Sequence, residues 1–138
     1  FRDERGRELF DLPDAPRPDP DTPAPVRFLP EYDNVLLSHA DRSRFVRSED
    51  RDQIAALFVE RGLGSVLSDG RGRGVWRLDR EPRGGPAVLT VRTFGQLNGR
   101  DAVAVEAEAS RLLDFLAPGA QGEVRVVALD GGANVTRT

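Results

Sequence analysis

The chain has 138 residues, of which 31% are charged and 38% hydrophobic, with a formal net charge of -3 and a mean hydropathy of -0.45. This describes one soluble domain with room for a real core, and it excludes a bilayer-spanning helix, because no apolar stretch approaches the roughly 20 residues such a span needs. Zero cysteine removes disulfides, thiolate metal sites and cysteine nucleophiles together, and one histidine is too few for a nitrogen-rich metal centre, so no metal or cofactor is expected.

The charge is unevenly distributed. Residues 1–25 carry four basic against seven acidic side chains, residues 26–100 carry thirteen against ten, and residues 101–138 carry three against six. The middle of the chain is therefore positive between two negative ends. All twenty basic residues are arginine. Planar, bidentate guanidinium suits phosphate recognition, and a GC-rich coding bias explains the absence of lysine equally well. The opening FRDERGRELF is no secretory leader, and a chain starting at Phe1 without any methionine reads as a fragment, most simply the C-terminal part of a longer cytoplasmic protein.

Residues 1–10 read as the end of a helix or strand continuing from upstream, with Leu9 and Phe10 as apolar contacts. DLPDAPRPDPDTPAP, residues 11–25, contains six prolines. Each fixes its own φ and pushes the preceding residue toward extended backbone, so the segment predicts a stiff strap, and residues 1–25 an N-terminal arm and linker. A β-rich domain is expected over 26–130 and a flexible tail over 131–138.

VRFLP (26–30) alternates as a strand does, and VLLS (35–38) reads as a second short strand. Ser48-Glu49-Asp50 predicts a helix start, with acids at the positive end of the dipole. A helix of three turns burying Ile54, Leu57 and Phe58 should follow, stopped by Gly62. GSVLSDGRGRGVWRLDR (64–80) has the pattern of a hairpin turning at Asp69-Gly70, with Trp76 and Leu78 on the buried face and Val75, Arg77 and Asp79 opposite. A second turn at 81–85 leads to AVLTVRTF (87–94), which sets Ala87, Leu89, Val91 and Thr93 against Val88, Thr90, Arg92 and Phe94. Three antiparallel strands in a meander follow from this. Asn98 as cap, Asp101 three residues on, and apolar residues at helical spacing from Ala102 to Leu116 predict a long helix ended by Pro118-Gly119. EVRVVAL (123–129) supplies a last strand. Asn134-Val135-Thr136 matches a glycosylation acceptor, which has little meaning in a chain without an export signal. The expected fold is α+β: a bent antiparallel sheet or small open β-barrel with two helices, the longer one C-terminal.

Candidate chemistry concentrates in RFLPEYDNVLLSHADRSR. Ser38, His39 and Asp41 suggest a hydrolase triad, but neighbours on a strand point to opposite faces, so Ser38 cannot reach the ring of His39. Asp33-Asn34 and Asp41-Arg42 also have plain roles as turn formers. GRGRG (70–74) has neither the spacing of a phosphate-binding glycine loop nor a following helix; a tight turn needing positive φ explains it. Arg71 and Arg73 nonetheless stand at its exposed tip, within reach of backbone phosphate.

RFLPEYDNVLLSHADRSRFV, followed by SVLSDGRGRGVWRL and AVAVEAEASRLLDFLAP, resembles the C-terminal part of the bacterial winged-helix DNA-binding-domain-containing proteins, which include the AlkZ-type DNA glycosylases. The likeness runs from about Arg27 to Pro118, and its most specific phrase is LPEYDN-LLSHADR. It implies tandem winged-helix units forming a concave surface on double-stranded DNA, completed by a β-rich, barrel-like C-terminal domain, which this chain would be. The family's catalytic motif, Gln, an apolar residue, then Gln or Asp, lies near the N-terminus of the full protein. QIA at Gln53, QLN at Gln96 and QGE at Gln121 do not match it, so no catalytic residue is carried over. The resemblance therefore implies an accessory domain in DNA repair, with Asp33, Asn34, His39, Asp41, Arg42, Arg44, Arg71 and Arg73 facing DNA or the upstream winged-helix domains of the same chain. The alternatives from other classes are a purely structural or self-associating domain, and a small hydrolase using Asp33, His39 and Asp41.

Overall fold

The computed structural model describes residues 1–55, 60, 62–81 and 85–129. Five strands form one open sheet whose spatial order follows the chain: β1 (Arg27–Leu29), β2 (Gly64–Ser68), β3 (Arg71–Arg80), β4 (Ala87–Phe94) and β5 (Gly122–Leu129). The first four run antiparallel, with Leu29 opposite Ser65, Gly64 opposite Trp76 and Gly74 opposite Thr93. The fifth runs parallel to β4, Ala87 facing Gly122 and Phe94 facing Leu129. A parallel pair needs a crossover, which α3 (Gly99–Leu116) provides. The fold is the expected α+β class with its longest helix C-terminal. Its sheet is mixed and open at β1 and β5, so closure into a barrel does not occur.

The hairpin from β2 to β3 follows its turn chemistry, since Asp69 and Gly70 both adopt positive φ (52° and 67°), as a two-residue turn between twisted strands requires. Alternation on β4 buries Ala87, Leu89 and Val91 against Val105, Ala109 and Leu113 of α3. Asn98 caps α3 by accepting from the Asp101 amide at 2.8 Å while its own amide donates to the Asp101 carboxylate at 3.0 Å. Trp76 and Leu78 pack on this side of the sheet as expected.

Val75, expected on the open side, is 3% exposed. The other face of the sheet is covered too, by a second cluster joining Leu36, Val46, Ile54 and Leu63 to Val75 and Phe94. The cover comes from the segment between β1 and β2. There the expectation of a strand over Val35–Ser38 fails: Asn34–Leu37 is a short helix, α1, because the Asp33 carboxylate accepts the Val35 amide at 2.8 Å and starts a turn. A 3-10 turn (Ser48–Asp50) runs into α2 (Arg51–Ala55), whose Ile54 is buried. Leu57, Phe58, the turn centre at 82–84 and the tail with Asn134 lie outside the described residues.

The first ten residues close on themselves instead of ending an element from upstream. Phe1 and Leu9 exchange backbone hydrogen bonds at 3.0 and 2.9 Å, around a bridge between Arg2 and Glu8. The proline-rich strap is exposed and contains no helix or strand. It is held at both ends: the Asp69 amide donates to the Ala24 carbonyl at 3.1 Å, Arg17 lies 3.8 Å over the Phe1 ring, and Arg5 pairs with Asp41 at 3.1 Å.

Candidate nucleic-acid interface

The segment over residues 40–46 is shaped by its own polar atoms. Asp41 accepts the Ser43 amide at 3.0 Å, as an Asx turn does. The amides of Phe45 and Val46 both donate to the Arg42 carbonyl at 2.9 Å. Arg42 reaches back through Nε to the Leu36 carbonyl at the end of α1. The loop is then tied to the sheet, because the Gly72 amide donates to the Phe45 carbonyl at 2.6 Å. Arg44 and Arg71 are thereby brought to neighbouring positions from segments far apart in the chain.

Between the loop and α2 opens a groove of about 400 Å³, with Val46 and Ile54 at its apolar side and Asp41, Arg42, Ser43 and Arg51 at its polar side. Arg44, Arg51 and Arg71 are exposed, and their side chains make no hydrogen bond or ion pair with any described residue. Their charge is free to meet an anion. Phosphate is the group to which a planar guanidinium fork is best matched.

The other expected site residues have local duties. Asp33 caps α1, and Asn34 stands exposed in that helix. Asp41 binds Ser43 through both its hydroxyl and its amide, and with the charges of Arg5 and Arg7 these hydrogen bonds hold its carboxyl down to about 2. A carboxylate so stabilised is a poor proton acceptor near neutral pH. His39 is exposed and, among the described residues, makes no hydrogen bond or ion pair. Asp33, His39 and Asp41 thus form no hydrogen-bonded relay. Arg73 turns inward to Asp101 at 3.5 Å, where Ser68 also reaches that carboxylate at 3.3 Å, joining the hairpin to the N-terminus of α3. No group of three His, Cys, Asp or Glu among the described residues is placed to hold a metal ion.

Two contributors escaped the sequence reading. Arg51 opens α2 and reaches the groove; its signal was its place just after Ser48-Glu49-Asp50. Arg47 is half-buried just before α2 and pairs with Asp50, which is 4% exposed, at 2.7 Å. The acid beside it raises the Arg47 pKa further.

The fold and its surface define an α+β domain that presents exposed guanidiniums unpaired among the described residues. The particular family is given by comparison: a model described as DNA glycosylase AlkZ-like matches residues 1–115, and the chain belongs to that family of DNA glycosylases, whose substrate is DNA. Comparison with curated proteins and with solved structures returns no match. Among the described residues, no helix is long and apolar enough to cross a membrane.

Proposed function

We propose that this chain is the C-terminal accessory domain of a winged-helix DNA repair glycosylase acting on alkylated or crosslinked DNA. Arg44, Arg51 and Arg71, with Arg42 at the groove wall, contact the phosphate backbone of the duplex. Asp33, Asn34, His39 and Asp41 shape the adjoining edge toward the winged-helix domains, and Arg73 supports the hairpin from behind. Base excision is carried out by residues elsewhere in the complete protein.

The observation that supports this reading is the bond from Gly72 to Phe45, which ties the loop carrying Arg44 to the strand carrying Arg71, two exposed arginines whose side chains are unpaired among the described residues. Such contacts position a duplex without reading its sequence. The test is excision from an alkylated duplex by the complete protein carrying Arg44→Ala and Arg71→Ala. A weakened KM with the single-turnover rate intact fits a positioning domain; a collapse of the chemical step at saturating DNA would place catalysis here instead.

A second reading is supported by exposed apolar side chains on α3. Phe115 is 79% exposed, as a residue of a packing or self-association surface would be. Sedimentation of the complete protein at increasing concentration separates the two: a dimer that dissociates on Phe115→Ser substitution favours self-association.

A further inference from the structure

On the face of the sheet away from α3, the connection from β1 to α1 passes over β2 and leaves a crevice lined by Pro30, Tyr32, Asp33, Leu37, Leu63 and Ser65. At its floor there is room, about 20 Å³, for one water-sized group. Ser65 lines that space. It is 3% exposed, and its hydroxyl oxygen has no hydrogen-bond partner among the described residues. A buried hydroxyl left unmatched is unfavourable, so its place at this crevice points to a ligand atom.

The surroundings define the charge of that ligand. Asp33 accepts one backbone amide and pairs with no cation among the described residues, and Glu31, one residue before Tyr32, is likewise unpaired. Tyr32 stands between them at φ 60°, in the left-handed region that non-glycine residues seldom adopt, and is 61% exposed. Two free carboxylates repel phosphate. Together with an aromatic ring they attract a cation.

We propose that this crevice is a docking site for a basic side chain, arginine by preference, presented by a partner polypeptide. One terminal nitrogen donates to Ser65 Oγ at the floor, the guanidinium lies against Tyr32 between Glu31 and Asp33, and the methylene stem covers Leu37 and Pro30. This surface is separate from the arginine groove. It adds a protein contact on the same side of the sheet as the groove proposed to meet DNA.

The test is a titration of isotope-labelled complete protein with the tripeptide acetyl-Leu-Arg-Leu-amide, followed by amide chemical shifts. The same peptide with citrulline in place of arginine keeps the shape and removes the charge. Saturable shifts at Tyr32, Leu37 and Ser65 are expected, with binding about tenfold weaker for citrulline and about fivefold weaker for Ser65→Ala. Tyr32→Gly, which relieves the backbone while removing the ring, should also lose binding without unfolding the domain. Equal binding of the two peptides, absence of saturable shifts, or shifts at these residues produced by a short DNA duplex instead would each overturn the assignment.

Discussion

Gly72 donates its amide to the carbonyl of Phe45 at 2.6 Å, and this bond joins the start of the hairpin's second strand to a loop 27 positions earlier in the chain. Its consequence is electrostatic. Arg44 and Arg71 each precede one of the bonded residues, so two exposed arginines from distant segments are carried on neighbouring stretches of backbone.

Gly72→Ala tests that link. A Cβ at this position would lie 2.9 Å from Ile54 Cδ1 and 3.2 Å from the Phe45 oxygen. The isoleucine end can rotate away, but the carbonyl is fixed by its turn. A loss of about 1–2 kcal/mol in urea unfolding is expected, with weaker DNA binding beyond what stability explains. Unchanged affinity would separate the bond from the interface.

Gly64→Ala should be more severe. A Cβ there would come within 2.1 Å of Trp76 Nε1 and 2.4 Å of the Leu29 oxygen, the two atoms that the indole hydrogen bond of 2.9 Å joins. Overpacking of this kind costs about 3 kcal/mol or more. Fluorescence of the sole tryptophan should shift to the red as the ring is displaced, and an unshifted spectrum would contradict this packing.

Arg47→Ala leaves the buried Asp50 carboxylate without its partner. Arg47 retains some exposure, so the expected loss is about 2 kcal/mol, below the ~3–5 kcal/mol of a fully enclosed pair. Adding Asp50→Asn should recover part of it. Thermal melts of the two variants make the comparison, and a double variant less stable than Arg47→Ala would refute the pairing.

Acid should loosen the arm before it unfolds the core. The folded carboxyl of Asp41 is lowered from 3.8 to about 2 by Ser43 and then by Arg5 and Arg7. A group with a depressed pKa binds fewer protons when folded, so its stabilisation is complete above the unfolded value and disappears as pH falls through the folded one. Asp3, held down by Arg7, works in the same direction. Amide protection over residues 1–9, taken relative to the intrinsic exchange rate at each pH, should therefore fall between about pH 4 and pH 2, and Asp41→Asn should show that lower protection already at neutral pH.

The sequence carried some of this architecture openly. The long helix was legible because Asn98 and Asp101 mark its start and its apolar residues repeat through four turns, and the hairpin because Asp69-Gly70 suits only a tight turn. Val35-Leu36-Leu37 was misread because three apolar residues are too few to distinguish a period of two from one of 3.6; the Asp33 cap decided the matter. The direction of β5 depends on α3 carrying the chain back across the sheet. The site was harder to read. Arg44 and Arg71 were visible as exposed cations, but their meeting depends on the Gly72–Phe45 bond, and the inward turn of Arg73 depends on Asp101 at the start of another element. Such long-range pairings have no local pattern.

The most direct measurement is the salt dependence of duplex DNA binding by the complete protein, with and without Arg44→Ala and Arg71→Ala. Each phosphate contact contributes about 0.9 to the slope of log affinity against log salt, so the double variant should bind more weakly and with a slope reduced by about 1.8. A slope that stays where it was would mean that these guanidiniums never touch the backbone.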